Sequence, residues 1–120
     1  MSISVAIVED DLGVQKALKA IVQRAPNLSF DGAYSNAAEA FERIVTNCPD
    51  VALVDINLPG KNGIKLVSEL KAKLPKLHVM MITVYEDGDQ IFAALQAGAS
   101  GYMLKRSQPE EIVQGIEQLC

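Results

Sequence analysis

Four carboxylates, one hydroxyl and one ammonium stand where short apolar runs of this chain stop. Glu9-Asp10-Asp11 follow Ile3–Val8, Asp55 follows Val51–Val54, Thr83 closes His78–Thr83, and Lys105 follows Tyr102–Leu104. A charge set against an apolar run is costly unless something pairs with it. If Glu9, Asp10 and Asp55 are brought together, they repel and raise one another's pKa until a cation neutralises them. With no His or Cys partners, that cation should be hard. Mg²⁺ suits it, because Mg²⁺ keeps several waters and leaves room for phosphate oxygens. An acidic site holding Mg²⁺, one lysine and one hydroxyl is the inventory for phosphoryl transfer. Asp55 then becomes the nucleophile and forms an aspartyl phosphate.

Taken singly, each group also has an ordinary structural use. Acidic residues just after a strand cap the following helix, where the helix dipole favours them. Thr83 alone reads as a strand residue, and Lys105-Arg106 as solvated surface charge. The coincidence at four strand ends is what points to chemistry.

The elements that must position these groups alternate. Ile3–Val8, Leu28–Tyr34, Val51–Val54, His78–Thr83 and Tyr102–Leu104 read as strands. Between and after them run helical stripes: Val14, Leu18, Ile21 and Val22; Phe41, Ile44 and Val45; Leu66, Val67, Leu70 and Leu74; Ile91, Phe92 and Leu95; Ile112, Val113, Ile116 and Leu119. Asn36-Ala-Ala-Glu39 and Ser107-Gln-Pro-Glu110 resemble capping boxes, and Gly98 suits the residue after a helix. Three of the strands are nearly continuous apolar runs, as in parallel strands buried on both faces. The alternation predicts a right-handed, doubly wound α/β sheet, in which ligands sit beyond the carboxyl ends of the strands.

Composition narrows the function. With 120 residues, 49% hydrophobic and no Trp, the chain reads as one domain with an aliphatic core. A net charge of −4 argues against direct nucleic-acid binding. No apolar run is long enough to span a membrane, and the acidic N-terminal stretch is not a signal peptide. Cys48 and Cys120 fit no metal-ligand spacing and require no disulfide, which suits a reduced, cytoplasmic setting. His78, at the start of its strand, reads as structural.

The stretches "VAIVEDD", "VALVDINLPGKNGIKLV", "MMITVY" and "GASGYMLK" together resemble a response-regulator receiver domain over essentially all 120 residues. Within that family, "LPGKNGIKLVSELKAKLP" and "TVYEDGDQIFAALQAGASGYMLKRSQPEEIVQGI" are similar to the NarL/FixJ (LuxR-type) subfamily. The resemblance implies a flavodoxin-like five-stranded sheet of order 2-1-3-4-5 with five helices. It implies Asp55 as the phosphorylated aspartate, with Glu9, Asp10, Asp55 and the Asn57 carbonyl around Mg²⁺, Glu9 acting mostly through water. It further implies Thr83 and Lys105 on the phosphoryl oxygens, Tyr102 as an aromatic switch, and Asp11 as a helix cap.

The implied partners are a histidine kinase or phosphotransfer protein and, after phosphorylation, a second copy meeting helices one and five (Val14, Leu18, Ile112, Ile116). DNA would be reached only through a C-terminal helix-turn-helix output domain, expected beyond Cys120; a stand-alone receiver, or one that signals without phosphorylation, is the alternative. The chain is then a phosphoacceptor switch that catalyses only its own phosphorylation and slow dephosphorylation. An Asp-nucleophile hydrolase would want an acid where Asn57 stands, and a flavin carrier a phosphate loop where "EDDLG" stands. Three positions depart from the family pattern. Glu9 replaces the commoner Asp. Arg106 stands where Pro is frequent, so a trans peptide is expected. Tyr85 lies where the family tunes phosphate lifetime, and Pro59-Gly60 are expected to turn the chain away from Asp55.

Overall fold

The computed structural model describes residues 2–58, 63–84 and 87–120. Strands β1 (Ile3–Val8), β2 (Leu28–Tyr34), β3 (Val51–Asp55), β4 (His78–Thr83) and β5 (Gly101–Leu104) alternate with helices α1 (Leu12–Arg24), α2 (Ala37–Asn47), α3 (Gly63–Lys73), α4 (Gly88–Ala97) and α5 (Pro109–Leu119). The strands form one sheet of order β2-β1-β3-β4-β5, and every pairing is parallel. The calls on Pro59, Gly60 and Tyr85 lie outside the described residues.

Successive strand residues point to opposite faces, and the apolar runs fill both. Ala6, Val8, Ala52, Val54, Val79 and Met81 pack with Ala40, Ile44, Leu66, Val67 and Leu70 from α2 and α3. Val5, Ile7, Val51, Leu53, Met80 and Ile82 pack with Leu18, Val22, Ile112 and Ile116 from α1 and α5. Burying each Val, Leu or Ile contributes about 1.5–3 kcal/mol, so two cores sandwich the sheet and hold its strand ends in register. Among the described residues, no helix is long and apolar enough to cross a membrane.

The helix ends follow local chemistry, with one shift. Asp11 caps α1, its Oδ1 accepting from the Gly13 and Val14 N–H groups. Asn36 caps α2 by accepting from the Glu39 N–H. The α5 box falls one residue later than Ser107–Glu110. Gln108 is the N-cap, and its N–H donates to Glu111 Oε1 at 3.1 Å. Pro109 explains the shift, because proline is best placed at the first helical residue. Cys48 closes α2 with φ 51°, the one non-glycine residue in the left-handed region among those described.

Helix α4 departs further from the expected stripe. Phe92 is 62% and Leu95 43% exposed, and Ala94 is the buried residue. The helix is secured at its ends. Asp87 Oδ1 accepts from Asp89 and Gln90 N–H groups, and Gly98 closes the other end at φ 118°, as anticipated.

Candidate functional site

The parallel ladder brings the four strand ends together. Ile56 N–H donates to Ile82 O at 3.1 Å, and Lys105 N–H to Thr83 O at 2.8 Å. These bonds extend the β3–β4 and β4–β5 pairings one step past the strands, so Asp55, Thr83 and Lys105 stand on neighbouring ends. Glu9, on the other side of β3, is held by its N–H to Tyr34 O at 3.0 Å.

Asp55 and Glu9 are buried, as is Thr83, while Asp10 and Asn57 are exposed. The Lys105 ammonium lies 2.7 Å from Glu9 Oε1 and 3.3 Å from Asp55 Oδ2. Glu9 Oε2 accepts from Asp11 N–H at 3.1 Å, and Asp55 Oδ1 from Asn57 N–H at 3.1 Å. Glu9 Oε1 is fully buried and meets the Lys105 ammonium as an ion pair. Burial pushes the Glu9 carboxyl above the usual glutamate range, against the pull of Lys105. For Lys105 burial works downward, but the Glu9 and Asp55 carboxylates outweigh it and hold the ammonium above its ordinary value.

One oxygen each from Glu9, Asp10 and Asp55 lies within 4.8 Å of the others. Three carboxylates against one lysine leave two negative charges, and all the donors are hard oxygens. This donor set fits a hard divalent ion such as Mg²⁺.

The remaining residues are placed as follows. Asn57, two residues past Asp55, contributes its N–H to Asp55. Tyr102 sits on β5, in register with Met81, and is 41% exposed. The Lys105–Arg106 peptide is trans, as no cis bond occurs among the described residues. Both cysteines are free. They share a cavity of about 590 Å³ with His78, at the start of β4, the end of that strand away from Thr83. A second cavity, of about 570 Å³, is a groove between α1 and α5 lined by Ala17, Ala20, Ile21, Arg24, Glu110 and Val113. Leu18, Ile112 and Ile116 pack in the core, the ordinary use that most apolar residues of these two helices must have.

Sequence reasoning passed over Gly63. A Cβ there would lie 2.2 Å from the Asp55 carbonyl oxygen. Gly63 N–H donates to Ile56 O at 3.1 Å, so the start of α3 rests directly on the backbone that presents Asp55. Only glycine permits that approach. Its position eight residues after Asp55 was the available signal.

Residues 5–117 match the response regulator receiver domain family. The transcriptional activator DevR/DosR of Mycobacterium tuberculosis is 32% identical over 117 residues, 98% of this chain and 54% of that protein. The nitrate/nitrite response regulator NarL of Escherichia coli is 27% identical over 115 residues, 96% of this chain and 53% of that protein. The chain thus spans about half the length of these relatives. The receiver domain of a NarL response regulator from M. tuberculosis superposes with TM-score 0.92 at 27% identity, covering 98% of this chain and 94% of that one. A LuxR-family two-component response regulator from Aurantimonas sp. gives TM-score 0.93 at 27% identity, covering 99% and 85%.

Proposed function

The chain belongs to the response regulator receiver domain family, and from that premise we propose that it accepts a phosphoryl group on Asp55. The observation that carries this reading is the Lys105 ammonium lying between two buried carboxylates, 2.7 Å from Glu9 and 3.3 Å from Asp55. A carboxylate at a strand end, stripped of most water but paired with a cation, is a nucleophile held ready.

The donor is a phosphohistidine on a kinase or phosphotransfer protein. An Asp55 carboxylate oxygen attacks phosphorus, the P–O bond forms as the P–N bond breaks, and the leaving imidazole keeps the electron pair and takes up a proton. Asn57 N–H and Lys105 orient the attacking carboxylate. Lys105 and the Thr83 hydroxyl then bind oxygens of the transferred group. Asp10, Asp55, the Asn57 carbonyl and, through water, Glu9 would hold Mg²⁺, which would supply charge neutralisation for the phosphoryl oxygens. The acyl phosphate draws Thr83 towards it, and Tyr102 turns from its exposed position into the space vacated. That movement repacks the surface of α4 and β5, a population shift biased by local charge.

The output is association and transcriptional control. The α1–α5 groove, apolar at Ala17, Ala20, Ile21 and Val113 with Arg24 and Glu110 of opposite sign on its lining, would receive a second copy after phosphorylation. A helix-turn-helix domain elsewhere in the full protein would bind DNA, and the protein would act in the cytoplasm as a switch rather than as a turnover enzyme.

Intact-mass analysis after incubation with Mg²⁺ and acetyl phosphate tests the central step. One phosphoryl adduct, dependent on Mg²⁺ and absent from Asp55→Ala, is the expected result. An adduct that persists in Asp55→Ala, or none in the native chain, would overturn it.

A further inference from the structure

Strand β1 hands the chain to the acidic pair at Glu9, where the hydrogen bonding of the sheet runs out. Glu9 N–H donates to Tyr34 O at 3.0 Å, and β2 stops at that tyrosine. Glu9 is fully buried, and among the described residues its carbonyl meets no backbone N–H. A buried carbonyl without a donor is costly. Gln15 supplies the donor from the first turn of α1: its Nε2 donates to Glu9 O at 2.9 Å and reaches Ser35 Oγ at 3.4 Å.

Two further bonds close a ring. Asp11 N–H donates to Glu9 Oε2 at 3.1 Å, and Gln15 N–H to Asp11 O at 2.9 Å. From Glu9 through Asp11 to Gln15 and back, the ring spans Asp10, which is exposed. The Glu9 carbonyl belongs to the peptide that joins Glu9 to Asp10. Whatever holds it sets the direction in which Asp10 leaves the strand.

We infer that Gln15 is a positioning residue for the acidic pair: its side-chain amide fixes the Glu9–Asp10 peptide and so keeps the Glu9 and Asp10 carboxylates near Asp55 for a divalent cation. The inference rests on the reading that this cluster binds such an ion. Oxygens of Glu9, Asp10 and Asp55 lie within 4.8 Å of one another, and without an ion their repulsion pushes them apart. Lys105 offsets that repulsion at Glu9 and Asp55, whereas Asp10 is restrained through its backbone. A neutral amide suits the task, because it donates a hydrogen bond without cancelling the negative charge the ion needs. A site held ready in this way loses less affinity to ordering its ligands.

Gln15→Met keeps the length of the side chain and removes the donor. Calorimetric titration should show Mg²⁺ binding about tenfold weaker, the scale on which lost support of a ligand acts. Most of the lost adduct formation from acetyl phosphate should return at saturating Mg²⁺, which separates assembly of the site from the phosphoryl step. In the metal-free protein, Asp11 N–H should exchange with solvent about fivefold faster or more, while β3 amides keep their native rates. Native Mg²⁺ affinity, or an unchanged Asp11 exchange rate, would overturn the inference. A loss of rate that saturating Mg²⁺ does not restore would place Gln15 elsewhere in the reaction, with the same consequence.

Gln15→Glu decides the matter if Gln15→Met fails to fold. It matches the native side chain in shape, replaces the donor with an acceptor and adds a negative charge. Charge alone would tighten Mg²⁺ binding; the lost bond should outweigh it and leave binding weaker. Equal or tighter binding would overturn the inference. A native chain that binds no Mg²⁺ would defeat the metal reading, and the Asp11 exchange comparison would still decide whether Gln15 holds the Asp10 peptide. One that binds Mg²⁺ but forms no adduct would defeat only the phosphoacceptor reading.

Discussion

Strand β3 is bracketed by two aspartates, and their surroundings could hardly differ more. At its start, exposed Asp50 is clasped by neutral donors: Oδ2 accepts from Ser4 N–H at 2.9 Å and from Ser4 Oγ at 3.2 Å. At its end, buried Asp55 shares an ammonium with Glu9 and has an oxygen within 4.8 Å of oxygens of Glu9 and Asp10. Asp50 is used up in tying β1 to the turn before β3. Asp55 sits in a cluster whose negative charge exceeds what one lysine can cancel. What separates the two carboxylates is uncompensated charge at the carboxyl edge of a parallel sheet, not strand position alone.

The contrast is sharpest in the paired neutralisations. Asp55→Asn should cut adduct formation by more than about 100-fold, because the nucleophile is gone, while Asp50→Asn should leave the rate within about twofold by the same assay. Comparable losses would mean the two ends of β3 are not distinct. Next comes Gly63→Ala. Its Cβ, 2.2 Å from the Asp55 carbonyl oxygen, must displace that backbone at a cost of about 1–3 kcal/mol. The adduct should form roughly tenfold more slowly, since small misplacements of reacting groups cost that much or more.

A smaller effect, confined to stability, is expected at the other end of the strand. Asp50→Ala removes the clasp on Ser4 and should lower stability by about 1–2 kcal/mol, read as a few degrees of melting temperature. The finest distinction is in pH. The Glu9 pKa is raised in the folded chain, so its contribution to stability is fully present below the ordinary glutamate value, about 4.3, and is lost as pH rises through the elevated folded value. Glu9→Gln removes that dependence. Its melting temperature should therefore gain on the native chain as pH rises across that window. The raised Lys105 pKa acts in the same sense at the alkaline end: its contribution is whole below the ordinary lysine value and is lost as pH climbs through the folded one. A difference between the two chains that does not vary with pH would show that Glu9 titrates as it does when unfolded.

Much of this architecture was legible in the sequence because it rests on short-range rules. Apolar runs fixed the strands, while Asp11, Asn36 and Gly98 announced helix ends through the hydrogen bonds they alone can make there. The candidate site was legible for a topological reason: in a parallel sheet all the carboxyl ends lie on one edge, so residues far apart in sequence can be listed together. What escaped depends on distances between chain segments. Nothing in the sequence tells that Lys105 meets Glu9 more closely than Asp55, or that Gly63 lies on the Asp55 carbonyl. Phe92 and Leu95 follow a helical period faithfully, yet period says only that a helix has an apolar side. The structure shows that α4 turns that side outward and buries Ala94. The cap at Gln108 was misplaced because the pattern beginning at Ser107 is equally good on paper, and the ring of Pro109 decides between them.

Helix α4, pinned by Asp87 and Gly98 at its two ends and buried through little more than Ala94, has a mechanical consequence. An element fastened at its tips but lightly glued along its length can roll about its own axis, or fray and reform, without opening either core. Its amide protons should then exchange with solvent well before those of α3 or β3, on the fast side of the molecule's range of local openings. Little of the fold's free energy is at stake in such motion. A charge change at Asp55 could therefore be transmitted there at low cost.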